Sequence, residues 1–401
     1  MAQNIVTADD VQVQTLEVEK EDEVEDNRPP IERFRKPPKK PLSVTDIVSP
    51  AWCELQYWYS LTKYGKIKRT PAMKQGSRVH RDLEAQVHDF VPIEVETRED
   101  AFGLRIWNVI QGLRTLRTTG LTRELEIWGV LDGEVINGVI DELSYICPDP
   151  DFEKALEASK EDPAAARPPN RLSIKDFFAQ SSSSSSNLAP ANSSPTAKIY
   201  LTDIKTRTTN TLPQGAALKT VRLQLQLYHH LLRALARSAV PREAIFTRYQ
   251  LSSAAPLSAS VAAALTALEC ASAPAFSTPS APPASASPPA PPRTLTALWD
   301  AMQDEFAATP PPSAVLRASF RAQADGAPLG SRVFAADDEA LARYVAEALR
   351  WWRGERAARG VDVEDAFKCR ACAFAEGCEW RVGKVREAVR RSRVRWGRAG
   401  E

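Results

Sequence analysis

The chain has 401 residues, with 52 Lys and Arg against 51 Asp and Glu, for a net charge of +1. That balance excludes a bulk polycation, and the longest Ala-rich apolar stretch, Val261 to Leu268, is far too short to span a bilayer, so no membrane partner is expected. The 30 prolines warn that part of the chain does not pack, and three of the 6 cysteines crowd into Cys369 to Cys378, which reads as metal binding rather than a disulfide framework.

Residues 1–40 hold an acidic block, Glu17 to Asp26, followed by a Pro/Lys/Arg run from Arg28 to Lys40. With so little apolar material, this segment is expected to be a disordered tail. Its first 26 residues are the reverse of an Arg-rich, acid-poor transit peptide, so no organelle address is legible. Ser43 or Thr45 can cap a helix running through Trp52, Leu55, Trp58, Tyr59 and Leu61. A second helix is predicted after Gly76, with Val79, Leu83, Val87 and Phe90 on one stripe, and a third over 104–117. The period then shortens. Glu124 to Leu131, a turn at Asp132-Gly133, and Val135 to Ile146 read as a β-hairpin. Residues 149–197, with consecutive serines from Ser181 to Ser186, read as a disordered insertion. Lys198 to Thr206 reads as a strand, Lys219 to Arg237 as a helix with Leu223, Leu227, Leu231 and Leu235 on one face, and Ala244 to Leu251 as a further strand. Residues 252–292 are 32 of 41 Ala, Ser or Pro and read as a second disordered insertion, in which Val261 to Cys270 can hold a short helix. What remains, about 270 residues, suits a single α/β domain over 41–385 with a mixed sheet flanked by helices, and a basic tail over 386–401.

Strand 135–146 contains Gly138-Val-Ile-Asp141, and strand 198–206 contains Asp203-Ile-Lys205-Thr. Asp203 and Lys205, two apart on a strand, project to the same face, and Asp141 lies on the preceding ordered strand. Two carboxylates and a lysine converging on a sheet end make a hard-cation site suited to Mg²⁺ or Mn²⁺. Such an ion can activate water and stabilise charge on a phosphodiester, with Lys205 orienting the nucleophile or neutralising developing charge. His80 and Glu84 lie four apart on one helix, as do Gln224 and Tyr228 on the helix after Lys205.

In order, these motifs are G-x3-H-x2-LE, G-x-x-D, D-x-K and Q-x3-Y. The series resembles the RecB-type branch of the PD-(D/E)xK nucleases, whose restriction-endonuclease-like core carries these elements in this sequence. The resemblance implies that Asp141 and Asp203 ligate a divalent metal with help from the carbonyl of Ile204, and that Lys205 is catalytic. It implies that His80 joins or borders the metal site, with Glu84 beside it, and that Gln224 and Tyr228 position the site or the DNA. Many relatives carry Glu where this chain has Asp203, which makes the arm here one methylene shorter.

Cys369, Cys372 and Cys378 give C-x2-C-x5-C, three ligands that need a fourth, and Cys53 sits on the N-terminal aromatic helix. Cys147 and Cys270 border or lie within insertions and read as incidental. On chemistry alone, a one-plus-three thiolate set suits zinc or a [4Fe–4S] cluster. One Cys before the core and three after it resembles the iron–sulfur clasp of RecB-type nucleases and points to the exonuclease V family, with a fungal member as the expectation. The match covers 42–148, 198–251 and roughly 335–385. The family resemblance implies a metal-dependent exonuclease on single-stranded DNA, 5′-end directed and releasing short oligonucleotides, acting as a monomer in mitochondrial or nuclear genome maintenance.

Residues 380–401 carry eight Arg or Lys against two Glu, with Trp380 and Trp396 interleaved, a composition that can follow phosphates and stack on a base. No G-x4-G-K-[ST] motif occurs, so no ATP-driven motor is expected and unpaired strands are the favoured substrate. Within the first insertion, Ile174, Phe177 and Phe178 in the segment 171–178 can form one helical turn. That segment resembles the peptide by which replication proteins bind the sliding clamp, with Arg171 where Gln is usual.

Overall fold

Alternating apolar runs assemble into one mixed sheet in the computed structural model, which describes residues 3–8, 26–64, 71–161, 197–272 and 293–397. In chain order, strand β1 (Gln3–Ala8) is followed by helix α1 (Pro30–Arg35), strand β2 (Leu42–Ser43) and helices α2 (Val44–Val48), α3 (Glu54–Tyr64) and α4 (Pro71–Glu84). Strand β3 (His88–Ile93) and the long helix α5 (Arg98–Thr119) precede the hairpin β4 (Leu121–Leu131) and β5 (Glu134–Ser144). Then come α6 (Pro150–Glu161), β6 (Ile199–Arg207), α7 (Lys219–Ala236), α8 (Arg242–Tyr249), α9 (Ala259–Ser272) and α10 (Leu295–Ala307). Strands β7 (Pro312–Ala322) and β8 (Pro328–Ala335) and helices α11 (Asp338–Trp352) and α12 (Glu379–Gly397) complete the series.

Strand β5 is the hub. Along one side it pairs antiparallel with β4; along the other it pairs first with β2 and then, over Glu142–Ser144, with β6. The order continues through β7, parallel to β6, to β8. The β5–β6 ladder stops at Glu142 opposite Thr202, so the next two residues, Asp141 and Asp203, face each other just where the strands part. Behind them, Arg123, Glu142, Thr202 and Arg317 fall in one row across four strands. Arg123 Nη2 lies 3.0 Å from Glu142 Oε2, Arg317 Nη2 donates to Glu142 Oε1 at 2.8 Å, and Arg317 Nε donates to Thr202 Oγ1 at 3.0 Å. A buried row of this kind fixes register, because a one-residue slip would strand its charges against apolar neighbours.

Helices α5 and α7 bury their apolar faces against the sheet and α10 packs onto both helices, with Trp107, Trp128, Leu231 and Leu298 at or near zero exposure. The hairpin turn, the long helix over 219–237 and the strand over 198–206 stand as the periodicity predicts, to within a few residues.

Four expectations need correction. Ala244 to Leu251 is not a strand but lies mostly in helix α8. Pro241 sits at its N-cap, Ile245 and Phe246 turn into the core, and Gln250 stops it in the left-handed region at φ 57°. Its Ile, Phe, Thr and Tyr favour strands intrinsically, but packing decides. The helix expected from Ser43 through Leu61 is broken at Ser49-Pro50 into α2, a 3₁₀ turn and α3, although Ser43 does cap it in a reciprocal box with Asp46. The helix expected after Gly76 begins at Pro71 and ends at Glu84, so Val87 and Phe90 lie beyond it.

The segments expected to be disordered also carry order. Within 1–40, β1 pairs parallel with β3, and α1 docks through buried Phe34 while Arg35 holds Asp46. Within 149–197, α6 is tied by Glu153 to Tyr200 and Ser313. Within 252–292, the short helix allowed over Val261 to Cys270 is present as α9, which buries Val261 and Leu265. Single apolar or acidic anchors outweigh the polar composition around them. Residues 162–196, including Ile174, Phe177 and Phe178, lie outside the described residues.

Candidate functional site

Asp141, Asp203, Lys205 and His80 converge at the parting of β5 and β6. Asp141 Oδ2 accepts the backbone N–H of Ile204 at 2.5 Å, bridging the gap that the ended ladder leaves. Asp203 is fully buried; its Oδ1 accepts from Lys205 Nζ at 2.6 Å, and its Oδ2 has no partner among the described residues. A buried carboxylate oxygen left without a donor is costly in a metal-free fold and is what a cation ligand needs. Lys205, about a third exposed, stays charged: burial opposes this, but Asp203 and Asp141 outweigh it.

His80 comes from α4, which lies on the sheet through Val79 and Leu83 against Ile204, and through Gly76 so close to Thr206 that a Cβ would meet its hydroxyl at 2.9 Å. The imidazole Nε2 donates to the carbonyl of Ile204 at 3.2 Å, and Nδ1 donates to Glu124 Oε1 at 2.9 Å with Asp141 Oδ1 at 3.8 Å. Two acceptors imply an imidazolium. Burial works against that charge, but Glu124 and Asp141 raise the pKa regardless.

Sequence reasoning missed Glu124. It falls opposite Asp141 in the β4–β5 register, so Glu124, Asp141 and Asp203 form a carboxylate row across three strands. Its φ of 50° lifts it out of the ladder and turns it toward His80. Ligand atoms of His80, Glu124 and Asp141 lie within 4.8 Å of one another, a spacing that suits one divalent ion in place of the imidazolium proton. The only signal in the sequence was a Glu directly after an Arg at the head of a predicted strand.

Glu84, one helical turn beyond His80, is pushed up to about 7 by burial and by the charge of Glu124. Burial, with the neighbouring Asp141, likewise pushes Asp203 up to about 7 against the pull of Lys205. The unfolded chain releases such protons near about pH 4. The folded chain holds them to about 7, so metal-free stability falls as pH rises through that window. A divalent ion should reverse the loss, and Mn²⁺ is therefore expected to raise the melting temperature more at pH 8 than at pH 6. Differential scanning fluorimetry checks this; equal shifts at both pH values would mean these carboxyls take up no metal.

On α7, Gln224 Nε2 donates to Tyr228 Oη at 3.0 Å, and the buried Tyr228 ring lies over Gly138, where a Cβ would approach within 2.7 Å. Gly138 in the G-x-x-D stretch is thus a packing requirement. Burial and the charges of Asp141 and Asp203 hold the Tyr228 hydroxyl protonated.

The second constellation joins the chain ends. Cys53, Cys369, Cys372 and Cys378 line one cavity with Trp52, Tyr59, Phe374 and Trp380. The Tyr59 and Phe374 rings sit 5.5 Å apart, and Arg356 forks onto Glu54 with two contacts of 2.6 Å. Burial foremost, then the three other sulfurs, raises the Cys53 thiol. Four thiols in an apolar wall fit a thiolate-bound metal centre in donor number and type. Cys147 bonds to Glu153 and Cys270 is exposed, both apart from this cavity. Helix α12 leaves the cavity at Trp380 and exposes Val382, Val385 and Val389 among its arginines.

Residues 29–381 match a family model described as exonuclease V, a 5′ deoxyribonuclease. Exonuclease V of the zebrafish Danio rerio is 27% identical over 360 residues, covering 88% of this chain and 73% of that protein. A Debaryomyces hansenii protein named exonuclease V, mitochondrial, is 24% identical over 269 residues, covering 49% of this chain and 42% of its own length. A Candida albicans protein of the same name is 37% identical over 102 residues, which cover 25% of this chain and 15% of that protein.

Proposed function

Since the chain belongs to the exonuclease V family, we propose that it is a metal-dependent exonuclease that enters single-stranded DNA at a 5′ end and hydrolyses phosphodiester bonds. The observation that carries the reading is the row of Glu124, Asp141 and Asp203 at the parted strands, with Lys205 and His80 closing it and one oxygen of buried Asp203 unpaired among the described residues. This row with its lysine is the arrangement expected of a PD-(D/E)xK core.

Asp141, Asp203 and His80, with Glu124, would hold Mg²⁺ or Mn²⁺. When bound, the ion supplies Lewis-acid stabilisation of the phosphodiester and lowers the pKa of water. Lys205, held at 2.6 Å from Asp203, brings a fixed positive charge to the attacking oxygen and to the charge that develops on the phosphoryl oxygens. Tyr228, locked by Gln224 and packed on Gly138, keeps water from the rear of the carboxylates. The four-cysteine cavity would hold a [4Fe–4S] cluster that clasps α3 to the C-terminal segment, a structural role with no redox step.

An oligonucleotide labelled at its 5′ end, and the same sequence closed into a circle, test the reading together. The linear strand is expected to lose its label in short products while the circle persists under Mg²⁺. Cutting of the circle at a comparable rate would move the assignment to an endonuclease on the same core. The names of the fungal relatives support a mitochondrial setting, with the nucleus as the alternative, and imaging of the tagged full-length chain separates the two.

A further inference from the structure

Beyond Lys205 the same strand carries one more cation. Arg207 follows at i+2 on β6, so it projects on the side of Asp203 and Lys205, about 7 Å further along. It lines a cavity of about 360 Å³ together with Gln75, Thr208, Asn210 and Gln323. Gln75 lies on α4, five residues and about 7.5 Å of helix before His80. The cavity is therefore bounded by β6, which carries Asp203 and Lys205, and by α4, which carries His80.

Among the described residues, no carboxylate lines it. Arg207 Nη2 donates to Thr209 Oγ1 at 3.1 Å, but its Nε is buried without an acceptor among the described residues. A guanidinium on a wall without carboxylates, with a threonine hydroxyl as its side-chain partner, suits a multidentate anion, and phosphate is the one that matches its fork. The amide and hydroxyl side chains around it can bond to a phosphate or to a base edge. The volume falls within the range of small-ligand pockets, roughly 300–1,000 Å³.

We propose that this cavity holds a nucleotide of the bound strand flanking the cleaved bond, with its phosphate on Arg207. The inference rests on the deoxyribonuclease reading above and names a substrate subsite that the carboxylate row does not contain.

The test uses full-length protein and fluorescein-labelled oligothymidylate with Ca²⁺ in place of Mg²⁺, so that binding is read without cleavage. Arg207→Ala is expected to weaken binding roughly 10- to 100-fold. It should also lower the slope of log affinity against log salt by about 0.7, the loss of one phosphate contact to a single strand. A single neutral methylphosphonate walked along the strand should weaken wild-type binding at one position and leave the Arg207→Ala protein indifferent there. Thr209→Ala removes the threonine partner of Arg207 and should bind DNA as wild type does.

An unchanged salt slope in Arg207→Ala, or a methylphosphonate penalty that persists in it at every position, overturns the proposal. A Thr209→Ala protein that reproduces the Arg207→Ala loss does the same, because Arg207 would then only brace its loop. These readouts need no cleavage, so they stand or fall separately from the assignment of Asp203 and Lys205.

Discussion

Replacing Asp203 with Asn is expected to slow cleavage of single-stranded DNA on the order of 10³-fold or more while DNA binding under Ca²⁺ changes little. The amide keeps the size of the side chain and an oxygen for Lys205, and it removes the charge that a divalent ion requires. The sign of the stability change separates this account from simple damage. Above about pH 7, wild-type protein without metal carries an ionised Asp203 that burial disfavours, so the Asn variant should then melt no lower, and it should lose the upward shift on adding Mn²⁺. Cleavage that survives the substitution would remove Asp203 from the site. A variant that melts well below wild type at pH 8 would show that the carboxylate is structural.

Cys372→Ser should be the most damaging single change outside the carboxylate row. Three sulfurs and a hydroxyl hold a cluster poorly, and metal affinity in such sites is folding free energy. The variant purified without oxygen is expected to be colourless with iron far below the roughly four atoms of a [4Fe–4S] centre. Limited proteolysis should then open the segment from Val363 to Cys378, whose buried contacts are few. Cys270→Ser, at an exposed thiol, serves as the control and should keep both colour and resistance. Stoichiometric zinc and no iron in wild-type protein would exchange the cluster for a zinc clasp; a variant as resistant as wild type would deny the clasp altogether.

The parts of the site that were legible in the sequence were those with short-range periodicity. Asp203 and Lys205 share a face because strands repeat every two residues, and His80 and Tyr228 lie on helices whose spacing was readable. Glu124 was not legible, because its place depends on cross-strand register and a positive φ, both set by tertiary packing. The Arg123–Glu142–Arg317 row was hidden for the same reason, since Glu142 meets the two arginines only through cross-strand register. Strand β7 did leave a signal: Leu316, Ala318 and Phe320 alternate inward with Arg317, Ser319 and Arg321. Its alternation stands just beyond a Pro-rich stretch, in a region for which the sequence reading assigned no element. Helix α8 misled in the opposite sense, since its β-branched and aromatic residues suit a strand until the sheet offers no place for one.

Asp141 and Asp203 are joined along the chain by residues 145–198, but what sets them face to face is the row behind them, in which two arginines share Glu142 across the sheet. Covalent continuity and chemical adjacency are thereby uncoupled. The connection between the two carboxylate strands is long and rich in serine, while the spacing of the carboxylates rests on a few cross-strand charges.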